Sequence, residues 1–205
     1  GQANDKYAEK GADKRADMAE DFRAMRDQLK AGVQVVSAPQ LFPTPPSLAA
    51  RMVELAEIEP GHAVLEPSAG TGNILRAIRE ATGDSAVRTA IEINPRLCDR
   101  LRIAEEGAHV INCDFLQFDA PATKYDRILM NPPFANADDI KHIRHALGML
   151  KPGGRLVAIC ANGPRQNAQL RPLVEQRGGR WEDLPPDTFA ESGTAVNAAL
   201  FTLTA

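Results

Sequence analysis

The segment Val64-Leu65-Glu66-Pro67-Ser68-Ala69-Gly70-Thr71-Gly72-Asn73 constrains the fold of this chain more than any other stretch. A short apolar run enters a turn with two glycines, and Ile74, Leu75 and Ile78 follow at helical spacing. Strand, glycine turn, helix is the order at which open α/β sheets bind ligands. A phosphate loop would need Gly, four residues, Gly and then Lys, and the segment has no such lysine. A dinucleotide fingerprint would need a third glycine three places after Gly72, where the chain has Leu75. The acid at the strand end, Glu66, argues against a phosphate ligand as well, because it would repel a pyrophosphate.

The rest of the chain repeats the alternation. Apolar strands are predicted at Ala63–Glu66, Arg88–Ile93, His109–Cys113, Arg127–Met130 and Arg155–Cys160. Two more are expected near Arg180–Leu184 and Ala198–Leu203. Between them lie amphipathic helices, one capped by Thr44 with Pro45 at its first position, and one opened by Asn94-Pro95. A third is capped by Asn136, with Asp138 and Asp139 in its first turn, and ends at Lys151-Pro152-Gly153-Gly154. This pattern implies a Rossmann-like α/β fold with a seven-stranded, mostly parallel sheet and helices on both faces. At 205 residues and 43% hydrophobic, the chain suits one such domain. Residues 1–31 read differently. Met18, Phe22, Met25 and Leu29 form one apolar stripe in a charged helix, so residues 1–40 are expected to be a helical extension and 41–205 the main domain.

Two further acids stand at strand ends, Glu92 after the second strand and Asp114 after the third. With Glu66 they would line one crevice. Glu66 suits a cofactor carrying ammonium and sulfonium cations. Glu92 suits the two hydroxyls of a ribose, and Asp114 an exocyclic adenine amine. On these residues the chain from about Leu41 onward resembles the class I S-adenosylmethionine-dependent methyltransferases. The glycine turn is similar to the first motif of that family, Ala90-Ile91-Glu92-Ile93-Asn94 to its second, and Asn112-Cys113-Asp114-Phe115 to its third. The resemblance implies S-adenosylmethionine as cofactor and an antiparallel last strand. It also implies that Pro67, Ser68, Ala69, Gly70 and Gly72 cradle the cofactor while Ile93 and Phe115 flank its adenine. Leu41-Phe42-Pro43-Thr44-Pro45 resembles the segment that closes over the methionine end in amino-methylating DNA enzymes, which brings in Phe42 and Thr44.

The fourth predicted strand delivers Asn131-Pro132-Pro133-Phe134 to the same sheet edge. The prolines stiffen the chain and donate no hydrogen bond. The Asn131 side-chain oxygen and the Pro132 carbonyl can both accept from an amine, favouring a nitrogen whose lone pair faces the methyl group. Phe134 can stack on a target base flipped from a duplex, with Pro133 beside it. The tetrapeptide resembles the catalytic motif of N6-adenine DNA methyltransferases. Enzymes methylating guanine N2 in ribosomal RNA share it, and those methylating a glutamine amide in release factors usually carry Tyr at the place of Phe134. The order of segments resembles DNA adenine enzymes whose recognition domain follows the catalytic one. Few residues follow the last strand here, so recognition is expected from another subunit or region.

The leading expectation is therefore an adenine-N6 DNA methyltransferase. The alternatives are an RNA-base enzyme (guanine N2 or adenine N6), a protein glutamine enzyme, or a non-catalytic cofactor-binding subunit of a modification complex. Glu191, Ser192, Gly193, Thr194 and Asn197 are candidates for a lip over the target base, equally readable as a plain loop. The net charge of −3 argues against a cation-coated duplex binder but leaves nucleic acid open as the partner. The N-terminal helix is a candidate for self-association or for docking a partner protein. His142 and His145 lie three apart with no third ligand in view, so no metal is expected. Three cysteines without paired spacing and the absence of a membrane-length apolar run point to a cytoplasmic protein.

Overall fold

The computed structural model describes residues 42–192 and 196–205. Residues 1–40, expected above to be a helical extension, and Leu41, Gly193 and Thr194 lie outside the described residues. Seven strands form one sheet: β1 (Ala63–Pro67), β2 (Val87–Glu92), β3 (His109–Asn112), β4 (Tyr125–Met130), β5 (Leu150–Ala161), β6 (Arg180–Asp183) and β7 (Ala198–Thr204). The spatial order is β3-β2-β1-β4-β5-β7-β6. Pairing is parallel from β3 through β5, and β7 runs antiparallel to both β5 and β6. The Rossmann-like sheet with an antiparallel last strand is therefore present.

Both faces of the sheet are buried, and the strand periodicity explains how. Leu65, Ile128, Met130, Leu156, Ala158 and Phe201 face one cluster, while the alternating Val64, Leu129, Val157, Ile159 and Leu200 face the other. The first cluster is closed by α4 (Asp138–Leu147) and by Leu170 and Val174, which flank and line α6 (Arg171–Gln176). The second is closed by α1 (Pro46–Ala56) and α2 (Asn73–Thr82) through Leu48, Met52, Ile74 and Ile78. Each such side chain contributes about 1.5–3 kcal/mol on burial. α3 (Pro95–Ala104) crosses from β2 to β3, capped by Asn94, whose side chain accepts from the backbone N–H of Arg96 and Leu97. The short α5 (Pro164–Gln169) follows β5. No helix among the described residues is long and apolar enough to cross a membrane.

Strand order reverses between β1 and β4, so the crevice opens beyond their carboxyl ends. Three local expectations need correction. Helix α1 starts one residue late: Pro45 is its N-cap and Pro46 its first position, which releases the Thr44 hydroxyl for another partner. Asn136 does not cap α4. Asn136 and Ala137 both hold left-handed conformations (φ 55° and 58°), and Ala137 precedes the helix without a side-chain cap. Lys151–Gly154 does not end a helix but lies inside β5, where the register with β4 slips between Tyr125 and Arg127. The extra residues there bond instead to the chain end, Gly153 N–H donating to the Ala205 carbonyl at 3.0 Å.

Candidate active site

The turn after β1 is built from left-handed backbone: Ser68, Gly70 and Gly72 have φ of 61°, 55° and 79°. Glycine meets this at little cost, whereas Ser68 holds a conformation that side chains disfavour. Gly72 is also forced by packing, because a Cβ there would stand 2.5 Å from Leu101 Cδ2. The turn is fastened to β2 by Ala69 N–H, which donates to the Ile91 carbonyl at 2.9 Å.

Two of the strand-end acids, Glu66 and Glu92, meet at this turn. Glu92 is buried, and its two oxygens accept from Gly70 N–H at 2.7 Å and Asn94 N–H at 2.8 Å. Each oxygen keeps a further lone pair for a hydroxyl donor. Burial pushes its carboxyl up, against the pull of those backbone donors. Glu66 is 2% exposed, and its Oε2 has no hydrogen-bond partner among the described residues. Burial pushes Glu66 well above the ordinary carboxylate range, and the nearby Glu105 and Glu92 add to it. The Leu75 N–H at the start of α2 and Arg76 work the other way. A buried carboxyl with an unused oxygen is costly unless a cation or donor arrives. Directly after Glu92, Ile93 leaves 46% of its surface exposed, an uncovered apolar face at the sheet edge. Asp114 Oδ1 accepts from Leu116 N–H at 2.9 Å and so orders the turn after β3. Phe115 is 3% exposed and sits edge-on to His145 at 4.8 Å between ring centres. This donor set and apolar face fit an adenosine-bearing cation.

At the end of β4, Asn131 reaches across to the segment before α1. Its Nδ2 donates to the Phe42 carbonyl at 2.8 Å and to Thr44 Oγ1 at 3.1 Å. The carbonyl can only accept, so the amide nitrogen must face it, and the Asn131 oxygen must face the other way. That oxygen is buried and has no partner among the described residues. Leaving such an acceptor unmet costs about 1–3 kcal/mol. Pro132 is buried, and Phe134 packs on Phe42 with ring centres 5.7 Å apart. Phe42 in turn packs on the buried Phe189 at 6.2 Å.

The structure thus gathers Phe42, Thr44, Glu66, Ser68, Gly70, Gly72, Glu92, Ile93 and Asn131 around the carboxyl ends of β1, β2 and β4. Of the proposed lip, Glu191 and Ser192 lie in a short 3-10 turn, Ala190–Ser192, and the Asn197 carbonyl accepts from Asn162 N–H at 2.8 Å. Other residues here were not singled out from the sequence. Asn73 donates to the Thr44 carbonyl at 2.8 Å, and Phe189 backs Phe42 from 147 residues away along the chain. Asp139, read as a favourable charge in the first turn of its helix, is fully buried and accepts from Ala161 N–H and from Gln166, pinning the end of β5. Residues that interact across such sequence distances leave no periodic signal. His142 donates from Nδ1 to the Asp138 carbonyl at 2.8 Å, and burial lowers its pKa.

Comparison with known proteins agrees with this geometry. A family model described as "Methyltransferase domain" matches residues 64–154, from β1 into β5. The chain is 38% identical over 113 residues to a type II methyltransferase of Thermus thermophilus, covering 53% of this chain and 25% of that protein. It is 28% identical over 158 residues to the tRNA (guanine(6)-N2)-methyltransferase of the same species, covering 69% of this chain and 42% of that protein. The chain therefore spans less than half the length of either relative. Among solved structures, one described as a class I S-adenosylmethionine-dependent methyltransferase from Listeria monocytogenes superposes with a TM-score of 0.64 at 18% identity. That match covers 92% of this chain and 67% of the other.

Proposed function

We propose, from the premise that this chain belongs to the class I S-adenosylmethionine-dependent methyltransferases, that it methylates an exocyclic amine of a nucleic-acid base, with adenine N6 in DNA as the acceptor. One observation carries the reading: the Asn131 side-chain oxygen is buried, without a partner, and aimed by two hydrogen bonds from its own amide nitrogen. An acceptor held in that state awaits an N–H donor.

When bound, the cofactor supplies an electrophilic methyl group on sulfur. Glu66 balances its positive charge, Glu92 accepts from the ribose hydroxyls, and Ile93 covers one adenine face. Asp114 would complete the adenine side with the buried Phe115 packed behind it, and Ser68 with Gly70 and Gly72 lets the backbone come close. Asn131 accepts a hydrogen bond from the target amine. That bond favours a tetrahedral nitrogen and raises its lone pair out of conjugation with the ring. The amine proton would leave to solvent only after methyl transfer, so no strong base is required of this chain. Phe134, braced by Phe42 and Phe189, offers a face for the base to stack on once it leaves the duplex. Pro133, Ser192 and Asn197 border that face. Recognition of sequence context falls to another subunit or region, and residues 1–40 are the proposed place for self-association or for docking a partner protein.

A second acceptor has its own support. One relative, matched over 69% of this chain, is named for guanine N2 of tRNA, an amine to which Asn131 could bond in the same way. Labelled methyl transfer to DNA and tRNA offered in parallel separates the two. Recovery of N6-methyladenine from DNA supports the first reading, and N2-methylguanine from tRNA replaces it with the second.

A further inference from the structure

Thr44 and Asn73 are two residues of this site to which the reaction above assigns no role of their own. Thr44 is 4% exposed although it lies outside any helix, and it bonds on both sides. Its hydroxyl oxygen accepts from Asn131 Nδ2 at 3.1 Å, and its backbone carbonyl accepts from Asn73 Nδ2 at 2.8 Å. Asn73 is the first residue of α2, directly after the glycine turn. Its other side-chain atom, Oδ1, accepts from Arg76 Nη1 at 3.2 Å, and Arg76 stands 3.7 Å from the buried Glu105.

We infer that Thr44 is a positioning residue for Asn131 and that Asn73 positions Thr44 in turn, joining the cofactor turn and the reacting asparagine into one hydrogen-bonded unit. The inference rests on the catalytic reading of Asn131. A side-chain amide turns about its last torsion with a broad, two-fold preference, so Asn131 alone would sample both orientations. In one orientation its oxygen is left without a partner and able to accept from the target amine. In the other its NH₂ takes that place, and that group can only repel a donor amine. The Phe42 carbonyl and the Thr44 hydroxyl oxygen together hold both amide protons and select the first orientation. The Phe42 carbonyl is a backbone atom that every residue supplies, so the side chain that discriminates is Thr44. Asn73 matters because Thr44 sits in an irregular stretch whose carbonyl would otherwise be unmet, and because Asn73 shares the rigid start of α2 with the turn that holds the cofactor.

The test reads the amide itself as well as turnover. In ¹⁵N-labelled protein, the Asn131 side-chain NH₂ pair is identified by its loss in Asn131→Ala. It is expected to be shielded from solvent exchange. Thr44→Val keeps the shape but removes the acceptor, and is expected to speed that exchange and lower kcat about ten- to a hundred-fold, a larger loss than in cofactor affinity. Thr44→Ser restores both. Asn73→Asp sets an acceptor against the Thr44 carbonyl and is expected to move the Asn131 amide signal without touching it. That variant and Thr44→Ser also carry the test if Thr44→Val does not fold. An Asn131 amide unchanged in Thr44→Val, or a loss of cofactor affinity in place of kcat, overturns the positioning role. An amide loosened with full turnover retained instead refutes the catalytic reading of Asn131.

Discussion

Gly72→Ala measures how tightly the cofactor turn is built, and Gly61→Ala supplies its control. Both glycines hold left-handed backbone, φ 79° and 84°, so each alanine pays about 1 kcal/mol for conformation. They differ in surroundings. Nothing lies within 4 Å of a Cβ at Gly61, whereas at Gly72 the Cβ would stand 2.5 Å from Leu101 Cδ2. Leu101 cannot swing aside, since it is fully buried in a cluster with Ala69, Leu75 and Ala90. Overpacking of this kind costs roughly 1–3 kcal/mol more. Gly61→Ala is therefore expected to lower the melting temperature by roughly 2–4 °C, and Gly72→Ala by roughly 4–16 °C. Thermal unfolding followed by circular dichroism distinguishes them. If Gly72→Ala melts no lower than Gly61→Ala, the packing argument for the glycine turn is wrong.

Glu105 is 1% exposed and stands within 3.4–3.7 Å of Arg88, Arg79 and Arg76. Replacing it by alanine strands the buried Arg88 and is expected to cost about 3–5 kcal/mol in chemical denaturation, while Glu105→Leu with Arg88→Met recovers most of that loss; a mild single-mutant effect would contradict it. Glu66 predicts a pH effect. Its carboxyl, raised by burial, is protonated in the free protein below its folded pKa, and a bound cation favours the ionised form. At pH below that raised pKa, cofactor binding should then release up to one proton, and affinity should rise with pH until that pKa is passed. Calorimetry in buffers of different ionisation heat measures the release, and Glu66→Gln should abolish it; equal release in the variant would exclude Glu66 as its source. The stability linkage has the same origin. Because the folded pKa is raised, Glu66 should weaken the fold as pH climbs from its unfolded value through its folded one.

What the sequence made legible was what repeats or sits at a strand end. Alternation along β1, β4 and β5 and the acids Glu66, Glu92 and Asp114 could be read because each is local to one element. Thr44 was misassigned as a helix cap since capping statistics see only its neighbours, and its true partner, Asn131, lies 87 residues on. Asp139 was read only as a first-turn acid for the same reason, its partners Ala161 and Gln166 arriving from a later strand and helix. The glycines of Lys151–Gly154 suggested a helix stop, yet β5 absorbs them in a register slip because β4 and the chain end supply the hydrogen bonds.

The account turns on Asn131, and transfer of radiolabelled methyl from S-adenosylmethionine to DNA, RNA and protein, with Asn131→Ala beside the parent chain, tests it most directly. The expected result is label in N6-methyladenine of DNA, with Asn131→Ala reduced about 10²–10³-fold while its cofactor affinity stays the same. Turnover that survives Asn131→Ala would contradict the account.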